Sequence, residues 1–199
     1  MNVSIRSWNE DAIPGATAEC YNIDPETPGL VQRTLKTGHL SILRHGLASV
    51  SIKGISRACG RQILRKAHAD YLEMSQRYCD VSAARMILPE AIECLSAAPN
   101  LYETMLYSEV LQFLDASRIL YLKLRRHGIK KEDARAILPQ CIETSITMSG
   151  NFQMWWGFFN LRINQKTQKE TRDVAIAILK VFNERSELFS QHPKQEYVK

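Results

Sequence analysis

The sequence predicts a domain of mixed α and β structure, and three observations carry that expectation. Short stretches in which apolar and polar residues alternate fall at the start of the chain and around residues 48–52, as half-buried strands require. Apolar residues at helical spacing dominate the second half, where Leu106, Val110, Phe113 and Leu114 are followed by Ile119 and Leu120. At 199 residues, with 45% hydrophobic and 24% charged side chains, the chain has the length and balance of one globular domain.

Residues 1–8, MNVSIRSW, alternate enough for a first strand. Residues 9–30 carry the Pro, Gly and Asp punctuation of a loop with one short helical piece. A short helix follows, stopped at Gly38. Ala48, Val50 and Ile52 then mark a strand, in which Gly54 lets the backbone pack closely. Ser56 is a good helix N-cap for the segment RACGRQILRKAHA, and residues 70–78 read as extended. Pro89 and the pair Pro99–Asn100 break the next stretch into short pieces.

From Leu101 a long amphipathic helix runs to Gly128, with Lys123, Arg125, Arg126 and His127 meeting its negative end. KKEDARAIL is a second short helix stopped at Pro139, and residues 140–150 have the Thr and Ile content of a strand. NFQMWWGFFNLRIN is an aromatic helix, and Thr167 to Glu170 has the capping-box form that opens a last helix on Val174, Ile178, Leu179 and Phe182. Residues 190–199 are expected to fray. The phrases ARMILPEAIE and ARAILPQCIE echo each other, but no sustained period makes this a repeat protein.

No apolar run approaches the roughly 18–20 residues of a membrane span, and the amino terminus has no signal-peptide pattern, so a cytoplasmic protein without a membrane role is expected. The five cysteines are scattered, with no CxxC pair or His–Cys cluster at ligand spacing, which argues against a disulfide framework and a metal site. A formal charge of +5 favours anionic partners. The basic residues form two separated blocks without a helix-turn-helix, RRM or zinc pattern, so nucleic acid is not the expected partner.

One block carries chemistry. Gln62 and Arg65 are three residues apart on a helix and share a face. On an extended chain Glu73, Ser75 and Arg77 also share a face. Two guanidiniums, an amide, a hydroxyl and a carboxylate suit a phosphate ester with a sugar hydroxyl. A solvated basic helix with an ordinary salt bridge would use the same residues.

The stretch GHLSILRHGLASVSIKGISRACGRQILRKAHADYLEMSQRY, with GIKKEDARAILPQCIETSITMSGNFQMWWGFFNLRINQKTQKETRDVAIAIL, resembles the flavin-dependent thymidylate synthases, the ThyX family, over nearly the whole chain. The family signature RHRxxSxNExSxRY is kept at Arg65, Glu73, Ser75, Arg77 and Tyr78. The resemblance implies a single α+β domain over residues 1–199, an antiparallel sheet flanked by helices, with long helices in the C-terminal half. It also implies a homotetramer whose active sites are shared between subunits. Family members move a methylene group from methylenetetrahydrofolate to C5 of dUMP and reduce it with FAD that NADPH has reduced.

By the same resemblance Gln62, Arg65, Glu73, Ser75 and Arg77 would hold the nucleotide phosphate and sugar, with Arg135 and Arg162 at the pyrimidine as the catalytic pair. His39, Ser41, Lys66, Asn151 and Lys166 fall at positions near the flavin and folate. Several of these positions depart from the family. Lys66 and Ala67 replace its His and Arg, Gln153 and Gly157 replace the Arg and Asn of its NxRxxxN pattern, and Lys166 replaces a later His. Of the family's EH pair only His45 remains, beside Arg44. Lys66 and Lys166 could hold the flavin diphosphate as point charges, or the site has drifted toward hydroxymethylation of a pyrimidine nucleotide, or toward binding without turnover. His68, His127 and His192 are expected at the surface or at helix ends, and Trp155, Trp156, Phe158 and Phe159 in the core or a subunit interface. Cys59 and Cys141 are expected to be small buried residues.

Overall fold

Both alternating segments are strands in the computed structural model, which describes residues 1–197. β1 (Asn2–Asn9) pairs antiparallel with β2 (Leu47–Ser56), placing Val3 opposite Ile52 and Ile5 opposite Val50. Ala48, Val50 and Ile52 are buried, as their alternation requires. β3 (Asp70–Glu73) and β4 (Glu143–Asn151) complete a four-stranded antiparallel sheet in the order β1-β2-β4-β3. With long helices in the second half of the chain, the expected α+β class is the observed one.

The punctuated segment after β1 is more helical than its composition suggests. It forms α1 (Ala12–Tyr21), followed by α2 (Leu30–Lys36) and a 3-10 helix at Leu40–His45. Pro14 falls in the first turn of α1, where a missing N–H costs no helical hydrogen bond. α3 (Arg57–Ile63) begins where expected, with Ser56 Oγ accepting from the Cys59 N–H at 3.0 Å. It ends at Ile63, so Arg65 stands on the following turn and does not share a helical face with Gln62. α4 (Glu90–Glu93), α5 (Leu101–Arg126) and α6 (Lys131–Ala134) come next, α5 being capped by Asn100, whose side chain accepts from the Tyr102 N–H. α7 (Phe152–Arg162) and α8 (Lys169–Arg185) close the fold.

The chain divides into two compact units: Met1–Lys53, Gln62–Leu72 and residues from Ile146 onward form the first, and Gly54–Arg61 with Glu73–Ser145 the second. The core of the first is aromatic. Phe152, Trp155, Phe158 and Phe159 of α7 are fully buried, as are Phe182 of α8 and Phe189. Trp8 of β1 meets Phe152 at 4.5 Å and Phe182 at 4.8 Å between ring centroids. In the second unit Val81, Tyr121, Ala134 and Ile142 are the buried centre, with Met74, Met86 and Leu124 packed against them.

Four local expectations are corrected. On α5 the buried residues are Leu114, Ser117 and Tyr121, while Phe113, Ile119 and Leu120 face outward. The capping box does not form as written, because Gln168 is the N-cap of α8 and Thr167 Oγ1 donates back to the Leu161 carbonyl. The tail is packed through a 3-10 turn at Glu187–Gln191 and a second at Gln195–Tyr197, with the ring of His192 beneath them; Val198 and Lys199 lie outside the described residues. His192 is therefore not a surface histidine, since it is 2% exposed.

Candidate functional site

In the first unit, the turn that ends α3 is held by Tyr71, whose hydroxyl donates to the Lys66 carbonyl at 2.7 Å and the Ile63 carbonyl at 3.2 Å. Burial raises the pKa of Tyr71, partly opposed by the positive charge of Arg162, so the phenol stays protonated as these bonds require. Arg162, at the end of α7, donates through Nη2 to the main-chain carbonyl of Gln62, and the Gln62 amide bonds to Gln168. Two of the expected nucleotide residues, Gln62 and Arg162, are thus neighbours. Arg65 is exposed on its turn.

The positions that depart from the family's expected flavin contacts also meet in this unit. Gln153 and Gly157 are four residues apart and share one face of α7. Arg44 Nε donates to Gln153 Oε1 at 2.5 Å, and Lys66 lies against Gly157, where an added Cβ would come within 3.3 Å of its Nζ. A guanidinium from the 3-10 segment thus lies on Gln153, and the Lys66 ammonium lies beside Gly157. Asn151 caps α7, its Oδ1 accepting from the Met154 N–H at 2.8 Å. His39 Nδ1 is 2.6 Å from the Tyr21 hydroxyl, with the two rings nearly parallel. Ser41 and Lys166 are exposed, Lys166 on the turn after α7.

In the second unit Glu73 ends β3 and is half-buried. The expected alternation of Glu73, Ser75 and Arg77 on one face is not realised, because the strand stops and a turn begins. Ser75 Oγ accepts from the Arg77 N–H at 3.3 Å, and the Ser75 carbonyl accepts from the Cys79 N–H at 2.8 Å. Arg77 Nε reaches Glu132 Oε2 at 2.5 Å, and Arg135 Nε donates to the Glu132 carbonyl at 3.1 Å. Glu132 therefore links two of the expected site residues. A cavity of about 450 Å³ opens here, lined by Arg77, Tyr78, Arg125, Lys130, Lys131 and Glu132. Four cations against one carboxylate make it suited to an anion.

Sequence reasoning missed Glu132, Lys131 and Arg57. Glu132 and Lys131 sit in the KKEDAR run beside Arg135, and that proximity was their available signal. Arg57 is joined to Glu73 across sixteen positions of sequence by a 3.5 Å ion pair, which no local period encodes. Among the described residues there is no cluster of three His, Cys, Asp or Glu side chains that could hold a metal, and the five cysteines are free. Cys59 is buried and Cys141 half-buried, with its thiol pKa raised by burial.

Residues 1–186 match the family described as thymidylate synthase complementing protein. The chain belongs to this family. Its curated relatives include the flavin-dependent thymidylate synthase of Mycobacterium avium, 31% identical over 199 residues, covering 87% of this chain and 77% of the relative. The protein of the same name from Mycobacteroides abscessus is 30% identical over 190 residues, covering 88% and 69%. That of Mycobacterium tuberculosis is 30% identical over 197 residues, covering 87% and 77%. No described helix of this family member is long and apolar enough to cross a membrane.

Proposed function

We propose that the protein is a flavin-dependent thymidylate synthase, which methylates dUMP to dTMP with methylenetetrahydrofolate as carbon donor and FAD reduced by NADPH as reductant. The observation that carries the reading is the family match over residues 1–186, within which every nucleotide position keeps its residue type: Gln62, Arg65, Glu73, Ser75, Arg77, Arg135 and Arg162. In this reading Arg77 holds the phosphate, beside the basic cavity of Arg125, Lys130 and Lys131. Gln62, Arg65, Glu73 and Ser75 bind the rest of the phosphate and sugar. Ser75 serves as a binding group and not as a nucleophile.

Arg135 and Arg162 act at the pyrimidine. As a hydride adds at C6 of the ring, its electron pair displaces the C5–C6 double-bond electrons toward C5 and the carbonyl oxygens, where negative charge gathers until C5 bonds to the carbon unit and later gives up its proton. A fixed guanidinium stabilises that charge more than it stabilises the resting ring. The Arg162 side chain is already held by the Gln62 carbonyl, which supports a preorganised role.

The residues at the flavin positions fit an anionic cofactor despite their divergence. Arg44 on Gln153 and Lys66 against Gly157 place two cations along one face of α7, and Lys166 adds a third on the turn that follows. Lys66, Lys166, Asn151, His39 and Ser41 are the residues that would hold FAD, the two lysines through charge and the others through hydrogen bonds. When bound, the reduced flavin supplies the hydride. The reading includes a cytoplasmic homotetramer with shared active sites, supported by the apolar side chains exposed along α5.

Purified protein is expected to be yellow with a flavin absorption spectrum and to release tritium from 5-tritiated dUMP when folate and NADPH are present. Colourless protein that takes up no added FAD would sink the reading. Arg162→Ala is expected to abolish turnover and to weaken dUMP binding about tenfold or more, as loss of a charged hydrogen bond does. Unchanged dUMP affinity by calorimetry would remove Arg162 from the pyrimidine.

A further inference from the structure

The basic cavity beside Arg77 holds more positive charge than one phosphate calls for. Its volume of about 450 Å³ falls within the roughly 300–1,000 Å³ of small-molecule pockets, and Arg77, Arg125, Lys130, Lys131 and Glu132 line it. Four cations and one carboxylate leave three positive charges in excess. The carboxylate is already taken, since Glu132 Oε2 lies 2.5 Å from Arg77 Nε. Asp80 is close enough for the charges of Lys131 and Arg125 to act on it, but its carboxylate accepts from the Ser82 N–H at 2.8 Å, and that bond is the first cause of its lowered pKa. Two of the cations are fixed by neutral groups: Lys131 Nζ donates to the Tyr78 carbonyl at 2.9 Å, and Arg125 Nη1 donates to the Ile129 carbonyl. A carbonyl orients a cation without cancelling its charge, so both keep further donors for a ligand. The exposed Lys130 ammonium has no hydrogen bond or ion pair among the described residues.

Like charges gathered in one cavity repel each other, and an anion between them turns that repulsion into attraction. A single phosphate ester brings about 1.5–2 negative charges and three acceptor oxygens. Arg77 can meet such a group by itself. Its guanidinium is propped between Glu132 and the Tyr78 ring, 5.5 Å from the ring centroid, and both Nη groups are without a hydrogen-bond acceptor among the described residues. Arg125, Lys130 and Lys131 then remain for a second anionic group in the same cavity. A phosphate covalently joined to the first arrives there at high effective concentration, which a separate anion does not. We infer that Arg125, Lys130 and Lys131 form a subsite for the second phosphate of a pyrimidine nucleotide, so that the protein binds dUDP in preference to dUMP. The inference rests on the reading of Arg77 as a phosphate-holding residue and extends that reading from one phosphate to two.

The test is calorimetry with dUMP, dUDP and inorganic diphosphate on the wild type, Lys130→Met, Lys131→Met and the double variant. The wild type is expected to bind dUDP about tenfold or more tighter than dUMP, as charged hydrogen bonds to an added phosphate do. Each single variant should lower that preference, and the double variant should bring it close to unity. An undiminished preference in the double variant overturns the inference. If that variant fails to fold, an undiminished preference in Lys130→Met and in Lys130→Glu together overturns it, since the Lys130 side chain makes no bond that the fold depends on. A wild type that binds dUMP and dUDP equally refutes the second-phosphate subsite while leaving the proposed function standing. Inorganic diphosphate bound as tightly as dUDP makes the cavity a free-standing anion site and overturns its link to the nucleotide. A wild type that binds neither nucleotide removes both the subsite and the proposed function.

Discussion

His192 is a titratable group whose two ring nitrogens are both committed. Nε2 lies 3.1 Å from the Trp156 carbonyl and Nδ1 accepts from the Lys194 N–H at 3.1 Å, which fixes the neutral ring with its proton on Nε2. Trp156 and Phe159 pack on it at 4.5 and 5.6 Å between centroids. Burial lowers its pKa, and nearby Lys194 adds to the effect, while the bond to Trp156 opposes it. The sign follows from linkage: the unfolded chain takes up a proton near pH 6.5 and the folded one only lower. Stability from this residue is present above that pH and is lost as pH falls below it. Urea midpoints are therefore expected to drop between about pH 7 and pH 5, and to drop less in His192→Gln. Equal slopes in the two proteins would mean that other groups carry the acid sensitivity. Nothing in the sequence marked this histidine as buried, because its partners lie in α7 and in the turn after it. The same holds for Arg57, whereas Arg77 and Arg135 were legible through their motifs.

The elements show why some of the fold was readable and some was not. Strands β1 and β2 and helices α5 and α8 announce themselves by period, and α7 by a run of aromatic residues that is buried on nearly every side, although on α5 the period alone does not tell which apolar residues face inward. The end of α3 and the turn after β3 depend on contacts from elsewhere. Tyr71 stops the first by binding the Ile63 and Lys66 carbonyls, and Ser75 starts the second. Helix α7 gives the clearest test at this scale, because its start is set by a close approach of backbone to ring. Gly46 accepts from the Phe152 N–H at 2.9 Å, and a Cβ on it would come within 2.6 Å of Phe152 Cε2 and 2.8 Å of Ile13 Cδ1. Phe152 is fully buried and touches Trp8 and Phe189, so the ring has little room to yield. Gly46→Ala is expected to cost about 1–3 kcal/mol in a thermal or urea melt. It should also loosen the Arg44·Gln153 contact, which spans the same two segments. An unchanged melting temperature would mean that α7 shifts to accommodate the methyl.

At the scale of the whole molecule, the distribution of apolar side chains on α5 bears on assembly. Its inward residues Leu114, Ser117 and Tyr121 are spaced three and four apart. Leu106, Phe113 and Leu120 stand seven apart, at 36%, 62% and 46% exposure, and so form a second stripe that faces away from that core. Tyr102, at 71% exposure, falls four residues before Leu106 on the same stripe. A large apolar side chain removed from water contributes about 1.5–3 kcal/mol, so three or four of them buried against another copy are a substantial share of a subunit contact. Under the proposed tetramer, Phe113→Asp with Leu120→Asp places carboxylates in that contact. The expected outcome by sedimentation is a smaller assembly at micromolar concentration, with a far-UV spectrum unchanged from the wild type, because neither residue serves the core of its own chain. Turnover should fall with the assembly, since shared active sites lose the residues a neighbouring subunit brings. A double variant that keeps the wild-type mass and activity would place the contact on another face of the chain.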